Sequence, residues 1–315
     1  MAKVATIFGG SGFIGRYVVQ RLAKHGWTLR IAVRRPDQAL FLKPLGDVGQ
    51  IAPMAANIRH ERSVAAAVEG ADTIVNLVGI LYESGRQRFT AVHVDGVRRM
   101  ARAAAGSGVT RFLHLSAIGA DAASPSAYAR SKAAGEATLL EHFPTATILR
   151  PSIVFGPEDD FFNRFAEMTR FLPALPLIGG GRMRFQPVYV GDVADAAAKV
   201  LEDPTTAGKI YELAGPRAYS FKELMQILLS VIGRRRMLLP VPFAIATLQA
   251  AILGLLPHPP LTLDQLRLLK RDNLPSGKLP GLAELGISPT GLEAILPAYL
   301  EIYRRGGHFA RAEVQ

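Results

Sequence analysis

The chain has 315 residues, 49% of them hydrophobic and 20% charged, enough to bury a large core as one α/β unit or as two lobes. It contains no cysteine, which excludes disulfides, thiolate metal sites and cysteine nucleophiles, and its seven histidines show no metal-ligand spacing, so no metal is expected. A formal net charge of +11 favours anionic partners, but the arginine clusters Arg34–Arg35, Arg98–Arg99, Arg234–Arg236 and Arg304–Arg305 are scattered and lack interleaved aromatics, so nucleic acid is not expected.

The first apolar run, Val4–Phe8, begins almost at Met1, leaving no room for a signal or transit peptide and predicting a chain in or facing the cytosol. It runs into Phe8-Gly-Gly-Ser-Gly-Phe-Ile-Gly15 and then an amphipathic helix: strand, glycine turn, helix start. Gly10, Gly12 and Gly15 match the dinucleotide fingerprint, and Gly9, Gly12 and Gly15 its wider-spaced form. Gly9 and Gly10 allow the tight turn, Gly12 keeps side-chain atoms away from a pyrophosphate, and Gly15 lets helix pack on strand. Ser11, Phe13 and Ile14 complete the loop, whose helix N-terminus presents N–H groups to phosphates.

Strand-like runs continue at Leu29–Val33, Thr73–Leu77, Phe112–Ser116 and Ala146–Leu149, alternating with helix-like runs at Phe13–His25, Arg62–Glu69, Val92–Ala105 and Ala127–His142. Repeated βα units predict an α/β fold, a doubly wound parallel sheet with ligands at the carboxyl ends of its strands. The second strand ends in Val33-Arg34-Arg35, where an NAD-binding chain would carry a carboxylate. A guanidinium fork suits a 2′-phosphate, so NADP(H) is the expected cofactor.

Tyr128-Ala-Arg-Ser-Lys132 sets a phenol and an ammonium at i and i+4 on one helix face, after a strand ending at Ser116. A free tyrosine with a pKa near 10 is a poor acid or base. A fixed ammonium and a nicotinamide cation would favour its phenolate, with Ser116 holding a substrate oxygen. Tyr128, Lys132 and Ser116 are thus the candidate catalytic residues.

Beyond Gly156–Pro157 prolines and glycines multiply, and helix-like runs return at Asp192–Leu201, Phe221–Ile232, Phe243–Leu256 and Leu263–Leu269. The expected division is 1–155 with 186–204 as the nucleotide-binding domain, and 156–185 with 205–315 as a smaller lobe for substrate or partner docking. Glu158-Asp159-Asp160 and Asp192 read as helix caps, and Phe161, Phe162, Phe165 and Phe171 as core or lid. Arg234–Arg236 precede a nearly uncharged stretch reaching Pro260, broken by Pro240 and Pro242. Its helix is too short to span a bilayer, so it is either a docking segment for a membrane partner or anionic lipid, or a buried helix of the lobe.

The glycine turn, Ser116, Tyr128 and Lys132 together resemble the short-chain dehydrogenase/reductase family. Arg150-Pro-Ser-Ile-Val-Phe-Gly-Pro157, Pro187-Val-Tyr-Val-Gly-Asp192 and Leu285-Gly-Ile-Ser-Pro289 resemble its extended and atypical branch. Longer strings, Ser124-Pro-Ser-Ala-Tyr-Ala-Arg-Ser-Lys-Ala-Ala-Gly-Glu136, Phe155–Phe165 and Lys278–Gly286, resemble the nucleotide-binding accessory subunits of respiratory complex I (NADH:ubiquinone oxidoreductase). That resemblance implies a Rossmann fold holding a tightly bound, structural NADPH, with Asn76, Val78, Gly79, Lys132, Pro151 and Ile153 along the cofactor. Asn76 reads equally well as a strand-end cap. The implied partners are complex I subunits near the membrane interface, with anionic lipid or quinone. The implied location is peripheral, on the cytoplasmic side of a bacterial inner membrane or the matrix side in mitochondria. Active family members carry an asparagine that props the lysine, where this chain reads Val92-His93-Val94-Asp95-Gly96. The intact Ser116, Tyr128 and Lys132 keep the alternative open: an NADP-dependent reductase or epimerase-like enzyme of ubiquinone or isoprenoid metabolism.

Overall fold

The computed structural model describes residues 3–254, 256, 259 and 261–307. The chain divides into two compact units, one of Met1–Pro151, Gly191–Leu213 and Ser276–Ser288, the other of Ser152–Val190, Ala214–Pro275 and Pro289–Gln315.

The first unit is built on strands β1 (Val4–Phe8), β2 (Thr28–Val33), β3 (Ile51–Ala55), β4 (Thr73–Asn76), β5 (Arg111–Leu115) and β6 (Thr147–Pro151). A seventh strand, Ile210–Leu213, completes a sheet whose order is Ile210–Leu213, β6, β5, β4, β1, β2, β3. Every pairing is parallel. Strands such as β1 and β4 are buried almost throughout, as a sheet covered on both faces requires. The doubly wound reading therefore holds. Two strands escape the sequence pattern because both are edges: β3 carries Pro53, tolerated where no neighbour needs its N–H, and Ile210–Leu213 spans only four residues.

The order reverses between β1 and β4, and their register sets Phe8 opposite Asn76. In such sheets the crevice for a ligand opens at this switch point. Helices α1 (Phe13–Lys24), α2 (Glu61–Val68), α3 (Asp95–Gly106) and α4 (Ala127–His142) supply the connections. Each buries one stripe; α3, for example, buries Val97, Met100, Ala101 and Ala104. Phe8, Ile74, Phe112, Leu139 and Ile148 lie in the core between sheet and helices. A π-helical turn, Thr90–Val94, precedes α3 where the sequence pattern suggested ordinary helix.

The second unit has its own core around Phe155, Phe162, Phe185, Phe221, Leu224 and Leu296. Phe161 meets the rings of Phe162, Phe165, Phe185 and Phe221, so these aromatics pack as core, whereas Phe171 is 76% exposed. Asp159 Oδ1 accepts the amides of Phe162 and Asn163, so it satisfies the first donors of that helix from two residues before the N-cap position, Phe161. Asp192 falls inside the first turn of Val190–Glu202, favourable for the dipole but three positions past the cap. The strand Met237–Val241 pairs in parallel with Ala174–Ile178 and leads into the helix Phe243–Leu253. The remainder of the expected run to Pro260 includes Leu255, Pro257, His258 and Pro260, which lie outside the described residues.

Candidate nucleotide site

The turn after β1 is shaped by steric need. Gly9 has φ 82°, and a Cβ there would come within 3.1 Å of the Leu77 carbonyl carbon and 3.2 Å of Val78. A Cβ on Gly15 would lie 2.4 Å from the Gly9 carbonyl oxygen, so only glycine lets α1 close on the turn. Gly12 is exposed, and a Cβ there would touch nothing nearer than the Gly9 oxygen at 3.4 Å; it faces open space. Gly12 is also the N-cap of α1, with no side-chain cap hydrogen bond and no acidic residue in the first turn. An anion would fill that place. Ser11, Phe13 and Ile14 are half-buried around the turn.

Arg34 and Arg35 leave the end of β2 exposed, and neither guanidinium has a hydrogen-bond or ion-pair partner among the described residues. Asn76 ends β4 fully engaged. Its Oδ1 accepts the Val78 amide at 3.1 Å, and its Nδ2 lies 3.0 Å from His114 Nδ1. The side chain is a strand-end cap, and it shapes the crevice through Val78 and Gly79.

Lys132 is buried on α4, and its Nζ donates to the Leu115 carbonyl at 3.2 Å, at the end of the strand that Ser116 follows. Gly79 lies alongside: a Cβ there would stand 3.4 Å from Lys132 Nζ and 3.8 Å from His93 Nε2. The ammonium is 6.0 Å from the centre of the Tyr128 ring. Burial holds Lys132 down to about 8, with Glu136 opposing. Burial likewise pushes the Tyr128 phenol up to about 12, opposite to the phenolate expected beside an ammonium. Ser116 Oγ is buried with no hydrogen-bond partner, which suits a group supplied from outside the chain. Pro151 closes β6, its carbonyl accepting the Ile118 amide. Ile153 lies in the second unit, where its carbonyl accepts the Val188 amide. These residues fit a dinucleotide: an open glycine turn, an uncapped helix start, free arginines and an unsatisfied hydroxyl.

His93 occupies the π turn, 2% exposed. Its Nε2 accepts the Ile80 amide at 3.1 Å, so the proton sits on Nδ1, 2.8 Å from Ser131 Oγ. Ser131 in turn donates to the Tyr128 carbonyl at 2.7 Å. Burial, with the Lys132 ammonium adding, pushes His93 down to about 3, so the imidazole stays neutral. The Phe89, His93 and Tyr128 rings form one cluster. The π turn also packs tightly on α4: a Cβ on Gly135 would lie 2.2 Å from the His93 carbonyl oxygen. π turns recur at functional sites because they re-aim a side chain.

The profile of the NAD dependent epimerase/dehydratase family matches residues 5–214. The chain belongs to that family. It is 37% identical to NADH dehydrogenase (ubiquinone) 1 alpha subcomplex subunit 9, mitochondrial, of Arabidopsis thaliana, over 96% of this chain and 79% of that one. It is 30% identical to a ceramide reductase of Caulobacter vibrioides over 76% of this chain and 74% of the other. The fold matches that of DesIV, a dTDP-glucose 4,6-dehydratase from Streptomyces venezuelae, with TM-score 0.72 and 22% identity over 95% and 96% of the two chains.

At this candidate site, sequence reading missed Ser131, Glu136 and Arg150. Glu136 is buried and takes a two-pronged contact from Arg150, Nε lying at 2.9 Å. Its signal was present: Tyr128, Lys132 and Glu136 recur at four-residue intervals, one stripe of α4. Arg150 and the His93–Ser131 link join distant parts of the chain and left no local signal.

Proposed function

We propose that this chain is an NADPH-binding accessory subunit of respiratory complex I, with the nucleotide serving chiefly to hold the fold. The relatives named as NADH dehydrogenase subunits support it across nearly the whole chain. The observation that carries the structural role is His93. Both of its ring nitrogens are engaged inside the protein, by the Ile80 amide and Ser131, and burial keeps it neutral. A residue standing in for the lysine-propping asparagine must turn a polar atom toward Lys132 or its water, and both imidazole nitrogens are committed elsewhere.

In this reading Gly12 and the α1 amides hold the pyrophosphate, Arg34 and Arg35 the 2′-phosphate, and Lys132 the nicotinamide ribose. The cofactor class carries a transferable hydride, and Ser116 and Tyr128 frame that end of the site. The protein sits peripherally at the respiratory membrane, on the cytoplasmic side in a bacterium or the matrix side in a mitochondrion. No helix among the described residues is long and apolar enough to cross a bilayer. Nucleotide identity and retention test the reading. Protein purified through gel filtration should release close to one NADPH per chain on denaturation. Protein that emerges empty and exchanges nucleotide freely would overturn it.

The second reading is an NADP-dependent reductase. The unsatisfied Ser116 hydroxyl favours it, as does the relative named as a ceramide reductase. Tyr128→Phe separates the two. A structural subunit keeps its nucleotide and its assembly, whereas an enzyme loses a measurable reductase activity or quinone synthesis.

A further inference from the structure

The second unit presents an apolar face that its own core leaves uncovered. Residues 237–256 contain no charged side chain. The helix Phe243–Leu253 is apolar nearly all round yet buries only Ala246 and Ala250, which pack with Leu266. At 3.6 residues per turn Ile245, Leu248 and Ile252 project away from those alanines, and they are 51%, 65% and 61% exposed. Met237 and Leu239 on the preceding strand are exposed as well. A soluble helix ordinarily turns a charged or polar face outward; the only polar side chains this one exposes are Thr247, whose hydroxyl donates to the Phe243 carbonyl, and Gln249.

Cations stand at the start of the strand and at the start of the helix. Upstream, Arg234 and Arg236 spend their Nε groups on the carbonyls of Tyr303 and Thr169 rather than on carboxylates. Arg170, Arg236 and Arg305 press on Arg234 as like charges, opposed only by Glu167. Where the helix starts, Arg182, Lys270, Phe243 and Asp272 line a pocket. Asp272 is already taken by the backbone amide of Arg184 at 2.8 Å and its Nε at 2.9 Å. Lys270 rests 5.6 Å from the Phe243 ring centre. Neither Arg182 nor Lys270 has a hydrogen-bond or ion-pair partner for its side chain among the described residues. The pocket thus offers two uncompensated cations beside an aliphatic stripe.

We propose that this face docks on the surface of an anionic phospholipid bilayer, with Ile245, Leu248 and Ile252 entering the headgroup–acyl boundary and Arg182 and Lys270 taking a lipid phosphate. The layering of the face decides for lipid over a protein partner. An aliphatic stripe with no charged side chain, flanked by cations at the start of its strand and at the start of its helix, matches the bilayer's own sequence of hydrocarbon and phosphate. A protein interface would ask for directional polar contacts around its apolar centre, and on this helix only Gln249 offers an exposed amide for them. Eleven residues reach about 16 Å, half the ~30 Å hydrocarbon thickness, so the helix lies along the surface. This deepens the accessory-subunit reading. Vesicle binding and nucleotide retention are read separately, so either can fail alone.

The test is co-sedimentation of the full chain, with its nucleotide, against protein-free vesicles of phosphatidylcholine alone or with a third phosphatidylglycerol. Binding is expected to the anionic vesicles only, weakening as salt rises. Arg182→Ala with Lys270→Ala should lower it about 25-fold, at about fivefold per cation. Ile245→Ser with Leu248→Ser and Ile252→Ser should abolish it. Both variants alter exposed side chains and should keep native circular dichroism and nucleotide content; if the serine variant unfolds, the cation variant alone decides. No binding to protein-free anionic vesicles would hand the face to a protein partner and overturn the proposal. So would equal binding to neutral vesicles, or a cation variant that binds like the parent. Full displacement by inorganic phosphate would also overturn it, by showing a site for the free ion.

Discussion

Lys132 and His93 are buried side by side near Gly79, and burial disfavours the charge on each. For Lys132 the folded value of about 8 lies below that of an unfolded lysine. The unfolded chain therefore binds more protons between pH 8 and about 10.4, and stability rises with pH across that window. Below pH 8 the full penalty, on the order of 3 kcal/mol, is present. Lys132→Met should flatten that alkaline rise in thermal melts of nucleotide-free protein; an unchanged rise would mean the ammonium is better solvated than its burial indicates. His93 acts on the acid side. Its folded value is about 3, so stability falls as pH drops from 6.5 toward 3, by up to about 5 kcal/mol. His93→Asn removes the titrating group and should melt with a shallower acid slope. Arg34 makes a third residue-level prediction. Arg34→Glu should erase most of a preference for NADPH over NADH, since losing a charge-assisted contact costs about 2 kcal/mol, more than tenfold in affinity. Calorimetric titration with the two nucleotides measures it, and equal affinities in the parent would remove its premise.

Among the elements, the glycine turn and α4 were legible from local pattern alone. The turn follows an apolar strand, and α4 was expected and found at Ala127–His142, started by Ser126 accepting the Ala129 amide. The π turn was not legible, because it arises where the His93 carbonyl meets Gly135, 42 positions along the chain. A helical period in Val92–Ala105 is the same whether one turn is wide or regular. Other losses have local causes. Pro53 disguised an edge strand, and Pro297 sits inside the unforeseen helix Leu292–Leu300. Asn76 showed the reverse: its placement was legible while its bonding, to Val78 and His114, was not. The close approaches yield a prediction of their own. Gly135→Ala, with its Cβ 2.2 Å from a carbonyl oxygen, should destabilise by roughly 1–3 kcal/mol and loosen the His93–Ser131 contact. Gly15→Ala should open the turn and lose the nucleotide while the remaining sheet still folds. Denaturant melts with nucleotide quantitation distinguish the two, and a Gly15→Ala protein that retains nucleotide would contradict the role given to that turn.

For the molecule as a whole, the chain and its sheet belong to the epimerase/dehydratase family, while charge and surface point elsewhere. A net charge of +11 together with exposed Ile245, Leu248 and Ile252 is unusual for a free-standing enzyme and natural for a subunit seated at a membrane. In the proposed reading, the locked His93 leaves Ser116, Tyr128 and Lys132 around a cofactor that is held rather than turned over. The central claim is membership of a larger respiratory assembly. Native-gel separation of gently solubilised membranes tests it most directly, with the chain detected by antibody and complex I by its NADH dehydrogenase stain. The chain should co-migrate with the complex I band and carry NADPH there; a chain that runs only as a free species, away from that band, would contradict the account.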